Sequence, residues 1–188
     1  MTIFDLAKLS VRACEHAGIE YMLTGAFATG CYTIPRSTRD VNFVLNYQIP
    51  TELDDVIAGF GDAVKFGDQV QFDTIIWGKR HIGQTLTTPY LKVELFELFD
   101  APFVKEQFSR RVHMTVVSLD VDTYVPTAED VIVQKLRWAR DKDLMDATDL
   151  LAVQSPENLD VEYIRRWCRE HGSEDRLNTL LEEVADID

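Results

Sequence analysis

The stretch Thr24–Leu45, TGAFATGCYTIPRSTRDVNFVL, joins a turn of small residues to an alternating strand with two polar side chains. Residues two apart on a strand point to the same face, so Asp40 and Asn42 are predicted to project together. The other face of this strand carries the apolar residues Val41, Phe43 and Leu45. Such a polar pair is typical of a solvated strand face, and its oxygen atoms also suit a hard metal ion. The pattern alone leaves both interpretations open.

Two features next to the strand favour a functional site. Gly25 follows a short predicted strand, Ile19–Leu23, and begins a small-residue turn in which backbone N–H groups can approach a phosphate. The segment Arg36-Ser37-Thr38-Arg39 places two cations and two hydroxyls directly before Asp40 in an otherwise acidic chain. Each feature also has an ordinary explanation, because tight turns need glycine and polar loops are solvated.

A further carboxylate lies on the strand predicted over residues 90–98. Glu94 stands between Val93 and Leu95 on this alternating segment, and Glu97 is a competing candidate for any special role. A solvent-facing position explains Glu94 equally well. The pattern therefore identifies Glu94 as a candidate ligand without assigning it a partner.

The order of predicted elements indicates an α+β chain. Helices are predicted over residues 2–17, about 51–66 and 102–111, with Thr51 as the cap of the second. A short helix is also predicted after Gly25 and ends at Pro35. The remaining strands are predicted over residues 40–46, 69–77 and 112–118. From Pro126 onward only helices are predicted, over about 128–140, 143–153, 160–171 and 174–184. We therefore expect an α/β domain over 1–125 and a helical subdomain over 126–188.

Composition narrows the class of protein. The 188 residues carry a net charge of -13, which disfavours general binding to nucleic-acid backbones. No segment has the pattern of a signal peptide or a membrane span, and the three scattered cysteines, Cys14, Cys31 and Cys168, suggest a reducing compartment. We expect a cytoplasmic protein that does not contact membranes.

Taken together, the motifs resemble the nucleotidyltransferase superfamily with the DNA polymerase β-like fold. Within it they are similar to small prokaryotic proteins of the AbiEii toxin type and their uncharacterised relatives. The matching segments are TGAFATG, RSTRDVN, LKVEL, VPTAEDVIVQKL and DKDLMDATDLL, in this order, between about residues 18 and 170. The resemblance implies a mixed sheet flanked by helices, followed by a C-terminal helical subdomain.

The resemblance also implies a role for each matching residue. Asp40, position 42 and Glu94 would hold divalent metal, Mg²⁺ or Mn²⁺, for transfer of a nucleoside monophosphate from an NTP to an acceptor of unknown nature. The residues implied to contact the nucleotide are Gly25, Ala26, Arg36, Thr38, Arg39 and Lys135. Metal ions suit this chemistry because they neutralise phosphate charge and orient the attacking hydroxyl.

Three positions depart from the family pattern: Ala26 lacks a hydroxyl, Glu94 is one methylene longer than aspartate, and Asn42 replaces a carboxylate with an amide. An amide oxygen ligates a hard cation without supplying charge, so metal binding should be weak. The chain is then either a weakened transferase or a catalytically degenerate module that binds a nucleotide or a protein partner, as in toxin–antitoxin-like systems. A third possibility, an unrelated α/β protein, predicts that Asp40, Asn42 and Glu94 do not converge.

Two patterns in the helical part also have alternative explanations. Lys135 faces the phosphates in one interpretation and complements its helix dipole in the other. Asp143 and Asp146 are spaced to share one helix surface, for which a solvated acidic face is the preferred interpretation over a metal site.

Overall fold

The computed structural model describes residues 1–73 and 78–185. The chain begins with helix α1, which Thr2 caps with its side chain and Gly18 ends in a left-handed conformation. The helices are α1 Ile3–Ala17, α2 Gly25–Thr29, α3 Pro50–Ala58, α4 Pro102–Ser109, α5 Ala128–Trp138, α6 Asp141–Gln154, α7 Val161–Glu170 and α8 Glu174–Ala185. The strands are β1 Glu20–Thr24, β2 Asp40–Asn46, β3 Val64–Phe66, β4 Gln71–Asp73, β5 Gly78–Thr85, β6 Lys92–Glu97, β7 Val112–Val116 and β8 Val121–Val125.

Strand β2 lies within a mixed sheet of the order β1-β2-β6-β5-β3, in which β4 also pairs with β5. It pairs antiparallel with β1 and parallel with β6. Its side chains alternate between buried and half-buried, as the sequence predicts, and Val41, Phe43 and Leu45 are on the buried face. Strands β7 and β8 form a separate hairpin.

The predicted mixed sheet flanked by helices, followed by helices alone, is confirmed. From Ala128 to Ala185 the chain contains helices α5 to α8 and a short 3₁₀ turn. Their apolar faces join the core of the α/β part: Phe103 of α4 makes an edge contact with the ring of Trp167 in α7. Within the described residues no helix is both long and apolar enough to cross a membrane.

Several local predictions are wrong. Helix α3 begins after Ile49, not Thr51, and it ends at Ala58 rather than near residue 66. Gly61, with a φ of 53°, begins a 3₁₀ turn over Gly61–Ala63 that leads into strand β3. Strands β3, β5 and β8 are not among the predicted strands, and the last part of the strand predicted over 69–77 lies outside the described residues.

Candidate active site

Strand register brings the three candidate metal ligands to one region of the sheet. Asn42 pairs directly with Glu94 across the parallel strands β2 and β6, and Asp40 is two residues before Asn42 on the same face. Paired residues on neighbouring strands share a face, so the three side chains start from adjacent positions. The register also places Thr24, the last residue of β1, beside Asn42.

The turn after β1 touches this site through Gly25. Gly25 has a φ of 68°, and a Cβ at this position would overlap the amide nitrogen Nδ2 of Asn42. Glycine is therefore required for two reasons, a left-handed backbone and the close approach of a side chain. The neighbouring Ala26 is largely buried at the start of α2.

Asn42 and Asp40 offer oxygen atoms without partners. Oδ1 of Asn42 is buried and accepts no hydrogen bond within residues 1–73 and 78–185. The carboxylate of Asp40 is half-buried, and its backbone is fixed by Thr38, whose hydroxyl accepts a hydrogen bond from the Asp40 N–H at 3.2 Å. Glu94 differs, because its carboxylate lies 3.6 Å from the guanidinium of Arg80 on β5.

Two of the predicted phosphate-contacting cations, the buried Lys135 and the more exposed Arg36, are bound to carboxylates of the protein. Lys135 is 3% exposed, and its Nζ lies 3.3 Å from Asp143 and 2.5 Å from Asp146. Arg36 binds both carboxylate oxygens of Asp146, at 2.9 and 3.1 Å, and Arg140 binds Asp143. We call these five residues the α5–α6 ion cluster. It connects the loop before β2 to the C-terminal helices.

The preferred prediction for Asp143 and Asp146, a solvated acidic face, is therefore wrong. Both carboxylates are buried and bonded to cations. Burial raises the pKa of Asp146, but hydrogen bonds from Arg36 and Lys135 outweigh it and hold the pKa below the ordinary 3.8. The pKa of Asp143 is lowered in the same way, with burial opposed by Arg140 and Lys135. Both groups are ionised at neutral pH.

Arg39 is different from Arg36. It is exposed beside Asp40, and its side chain makes no hydrogen bond or ion pair with any residue that the structure describes. Lys92, which pairs with Asp40 across the strands, is also exposed. Among residues 1–73 and 78–185, these two side chains are positive groups near the strand face that make no ion pair with another residue of those ranges.

A small cavity adjoins Asn42 and contains residues that the sequence gave no reason to select. Its volume is about 40 Å³, and it is bounded by strands β2 and β6 and by helices α4 and α5. The lining residues are Thr24, Asn42, Val44, Phe96, Glu97, Phe99, Val104, Gln107, Gln134 and Trp138. Gln107 and Gln134 come from two distant helices, and no local pattern distinguishes them from solvent-facing glutamines.

The donor set near Asn42 is unusual for a metal site. Across the described residues no group of three or more His, Cys, Asp or Glu side chains is arranged to hold a metal ion. Position 42 of the predicted set is an asparagine, which is not among those four ligand types. The site thus presents two carboxylates and one amide oxygen, all of them hard oxygen donors.

Comparison with solved structures shows the fold, which is nucleotidyltransferase-like. One similar structure is described as "putative nucleotidyltransferase from H. pylori", with 19% identity, a TM-score of 0.56, and coverage of 100% of this chain and 85% of that one. JHP933 from Helicobacter pylori has 18% identity and a TM-score of 0.56, with 98% of this chain and 79% of that one covered.

The antibiotic-resistance factor ANT(2'')-Ia has been solved in complex with adenylyl-2''-tobramycin. That structure is 13% identical to this chain, with a TM-score of 0.61, and the match spans 90% of this chain and 98% of that one. At these identities the likeness concerns the fold alone. Searches of protein families and of curated proteins find no match to this chain.

Proposed function

We propose that this protein transfers a nucleoside monophosphate from an NTP to an acceptor, at a site built from Asp40, Asn42 and Glu94. The observation that carries the proposal is the strand register, which sets Asn42 beside Glu94 and close to Gly25 in a nucleotidyltransferase-like fold. In such a transfer the acceptor hydroxyl bonds to the α-phosphorus, the bond to the β-phosphate oxygen breaks, and pyrophosphate and a proton are released. The motif order supports the AbiEii-type relationship as part of this proposal.

The residues present fit one divalent cation better than two. Oδ1 of Asn42 and the carboxylate of Asp40, which make no hydrogen bond or ion pair with any described residue, are hard oxygens on one strand face, as Mg²⁺ requires. A pair of cations about 4 Å apart needs shared anionic ligands, and an amide at position 42 supplies no charge. Glu94 could join only by loosening its contact with Arg80. When bound, one Mg²⁺ or Mn²⁺ would neutralise phosphate charge and orient the reacting groups.

The chain's own residues contribute the remaining interactions. Thr38 fixes the backbone of Asp40, and Gly25 keeps the turn close to Asn42, so both ligands have defined positions. Arg39 is the arginine of the loop with a side chain available for phosphates, while Arg36 and Lys135 are already neutralised by carboxylates. We therefore assign phosphate contact to Arg39, and to Arg36 and Lys135 the positioning of the loop that carries it.

Calorimetric titration with ATP, CTP, GTP and UTP, with and without Mg²⁺ or Mn²⁺, tests the proposal. The natural protein should bind at least one NTP in a metal-dependent manner, and Asn42→Asp should bind it about tenfold or more tightly because a charged ligand replaces an amide. Asp40→Asn should abolish the metal dependence, and Asp122→Asn, on the separate hairpin, should leave it unchanged. Metal-independent binding by all variants would rule out this site.

A second candidate function rests on the ion pair between Arg80 and Glu94. The guanidinium of Arg80 beside Glu94 supplies part of the positive charge that a metal would bring, so the negative charge of the site is partly neutralised without one. In this case the protein is a degenerate nucleotidyltransferase that binds a nucleotide or a protein partner. Gain of metal-dependent binding in Asn42→Asp alone, with none in the natural protein, is the result this candidate expects.

A further inference from the structure

Three side-chain amides line the cavity of about 40 Å³ and make no hydrogen bond to any described residue. Gln107 and Gln134 are only 5% and 9% exposed, and neither side chain makes a hydrogen bond within the described part of the chain. Oδ1 of Asn42, which also lines the cavity, is fully buried and accepts no hydrogen bond within residues 1–73 and 78–185. A buried polar atom without a partner destabilises the fold unless an occupant satisfies it. This oxygen and the two unpaired glutamine side chains indicate a place for a polar occupant.

A second, narrower space extends the cavity toward the phosphate turn. It is lined by four of the same residues, Thr24, Gln107, Gln134 and Trp138, and continues to Gly25, Val131 and Lys135. An occupant of the cavity therefore lies next to Gly25, at the turn that the family resemblance implies to contact the nucleotide. This position suits the molecule that receives the nucleotide.

The cavity has no uncompensated charge. Glu97 is its one ionisable lining residue, and that carboxylate lies 3.1 Å from His81 and 4.0 Å from Lys79. Lys135, in the neighbouring space, is bound to Asp143 and Asp146. An ion entering the cavity would lose its hydration without gaining a counter-ion. The environment therefore favours an uncharged occupant.

Volume and wall chemistry define the size of that occupant. About 40 Å³ corresponds to roughly three water molecules, or to one group of about four heavy atoms. The aromatic residues Phe96, Phe99 and Trp138 form apolar walls, while primary amides supply both donors and acceptors. A group of carboxamide size and polarity matches these features.

We propose that this cavity binds an uncharged, carboxamide-sized group that both donates and accepts hydrogen bonds, as part of the acceptor molecule. The assignment of this group to the acceptor rests on the proposed function. Its size and lack of charge are inferred from the cavity alone. By this inference the acceptor presents a neutral polar group at the cavity, and a polycationic acceptor is disfavoured. Gln107 and Gln134 then determine specificity.

Three small molecules of equal shape and different charge test the inference: acetamide, acetamidinium and acetate. Each is titrated into the natural protein without nucleotide or metal, and the side-chain NH₂ signals of Gln107 and Gln134 are followed by ¹H–¹⁵N NMR. Acetamide should produce saturable shifts with a Kd on the order of millimolar, and the two ions should bind about tenfold more weakly or not at all. Absence of saturation with acetamide, or equal binding of acetamidinium, overturns the inference.

Variants separate a binding role from a structural one. Gln134→Leu should weaken acetamide binding by about tenfold and raise the melting temperature, because a buried unpaired amide is removed. Gln107→Leu should have the same two effects. Gln84→Leu, on the exposed part of β5, should change neither the acetamide affinity nor the melting temperature. A lower melting temperature in both cavity variants overturns the inference, because the amides would then be structural.

The outcomes also distinguish this inference from the proposed function. If acetamide binds but no NTP binds in a metal-dependent manner, the ligand preference of the cavity is supported and the proposed transferase activity is refuted. If an NTP binds in a metal-dependent manner but acetamide does not bind, the proposal for the cavity is refuted and the proposed transferase activity stands.

Discussion

Replacing Asp146 with asparagine removes one of the two carboxylates of the α5–α6 ion cluster. Lys135 is 3% exposed and would keep only Asp143, which it shares with Arg140, while Arg36 would lose its bidentate partner. Breaking a buried ion pair on one side typically destabilises by about 3–5 kcal/mol. Because Asp143 remains and Arg36 is 35% exposed, we expect a loss of about 2–4 kcal/mol.

Equilibrium unfolding in urea measures this loss, and the matching fall in melting temperature is roughly 5–12 °C for a chain of this size. Asp149→Asn is the matched control, because this carboxylate lies one turn further along α6, is exposed, and makes no ion pair with any described residue. In a double-mutant cycle, Lys135→Met and Asp146→Asn should show a coupling of about 1–3 kcal/mol. Equal stabilities for the Asp146 and Asp149 variants would refute the reasoning.

The same variant carries a pH signature. The folded pKa of Asp146 lies below its ordinary value of 3.8, so its contribution to stability is complete above about pH 4 and is lost as the pH falls through the folded value. The stability difference between the natural protein and Asp146→Asn should therefore shrink below pH 3.8. A difference that stays constant down to pH 2 would contradict an ionic origin.

Two other predictions concern single residues. Gly25→Ala should destabilise the fold by about 2–4 kcal/mol, because the strain of a left-handed φ and the overlap with Asn42 add together. Gly18 has a φ of 66° and open space around it, so Gly18→Ala should show only the backbone strain of about 1–2 kcal/mol. Thermal melts of the two variants measure the difference. Burial, and secondarily Arg137, lowers the pKa of His171 to about 4, so stability should fall as the pH drops from 6.5 to 4, and His171→Phe should remove that part of the pH dependence.

Local signals made part of this structure predictable. Strand β2, the helix starts capped by Thr2 and Thr127, and the left-handed stop at Gly18 follow from alternation and capping rules. Strand β5, GKRHIGQT, lacks such a signal because it is polar and contains glycine. Gly83 is nevertheless required, since a Cβ there would overlap Val64, Phe66 and Val93, and only the assembled sheet shows this.

The candidate site was predictable in position more than in interactions. The alternation of β2 identifies the face that carries Asp40 and Asn42, and the parallel pairing with β6 adds Glu94. The partner of Asp146, Arg36, is 110 residues away in sequence, so no local pattern distinguishes this buried aspartate from a solvated one. The cavity glutamines escape prediction for the same reason, because their environment is created by packing of α4 and α5 against the sheet.

The asparagine at position 42 also has a consequence for the protein without metal. With aspartate there, three carboxylates would occupy adjacent positions on strands β2 and β6, where like charges repel, and the ion pair of Arg80 with Glu94 would offset only part of that repulsion. With asparagine, the negative charges of the set are those of Asp40 and Glu94, and the amide nitrogen of residue 42 lies against Gly25. We therefore expect Asn42→Asp to be less stable than the natural protein in chelator and to recover that stability with Mg²⁺, in thermal melts with and without the ion. A variant that is equally stable in both conditions would show that residue 42 does not take part in metal binding.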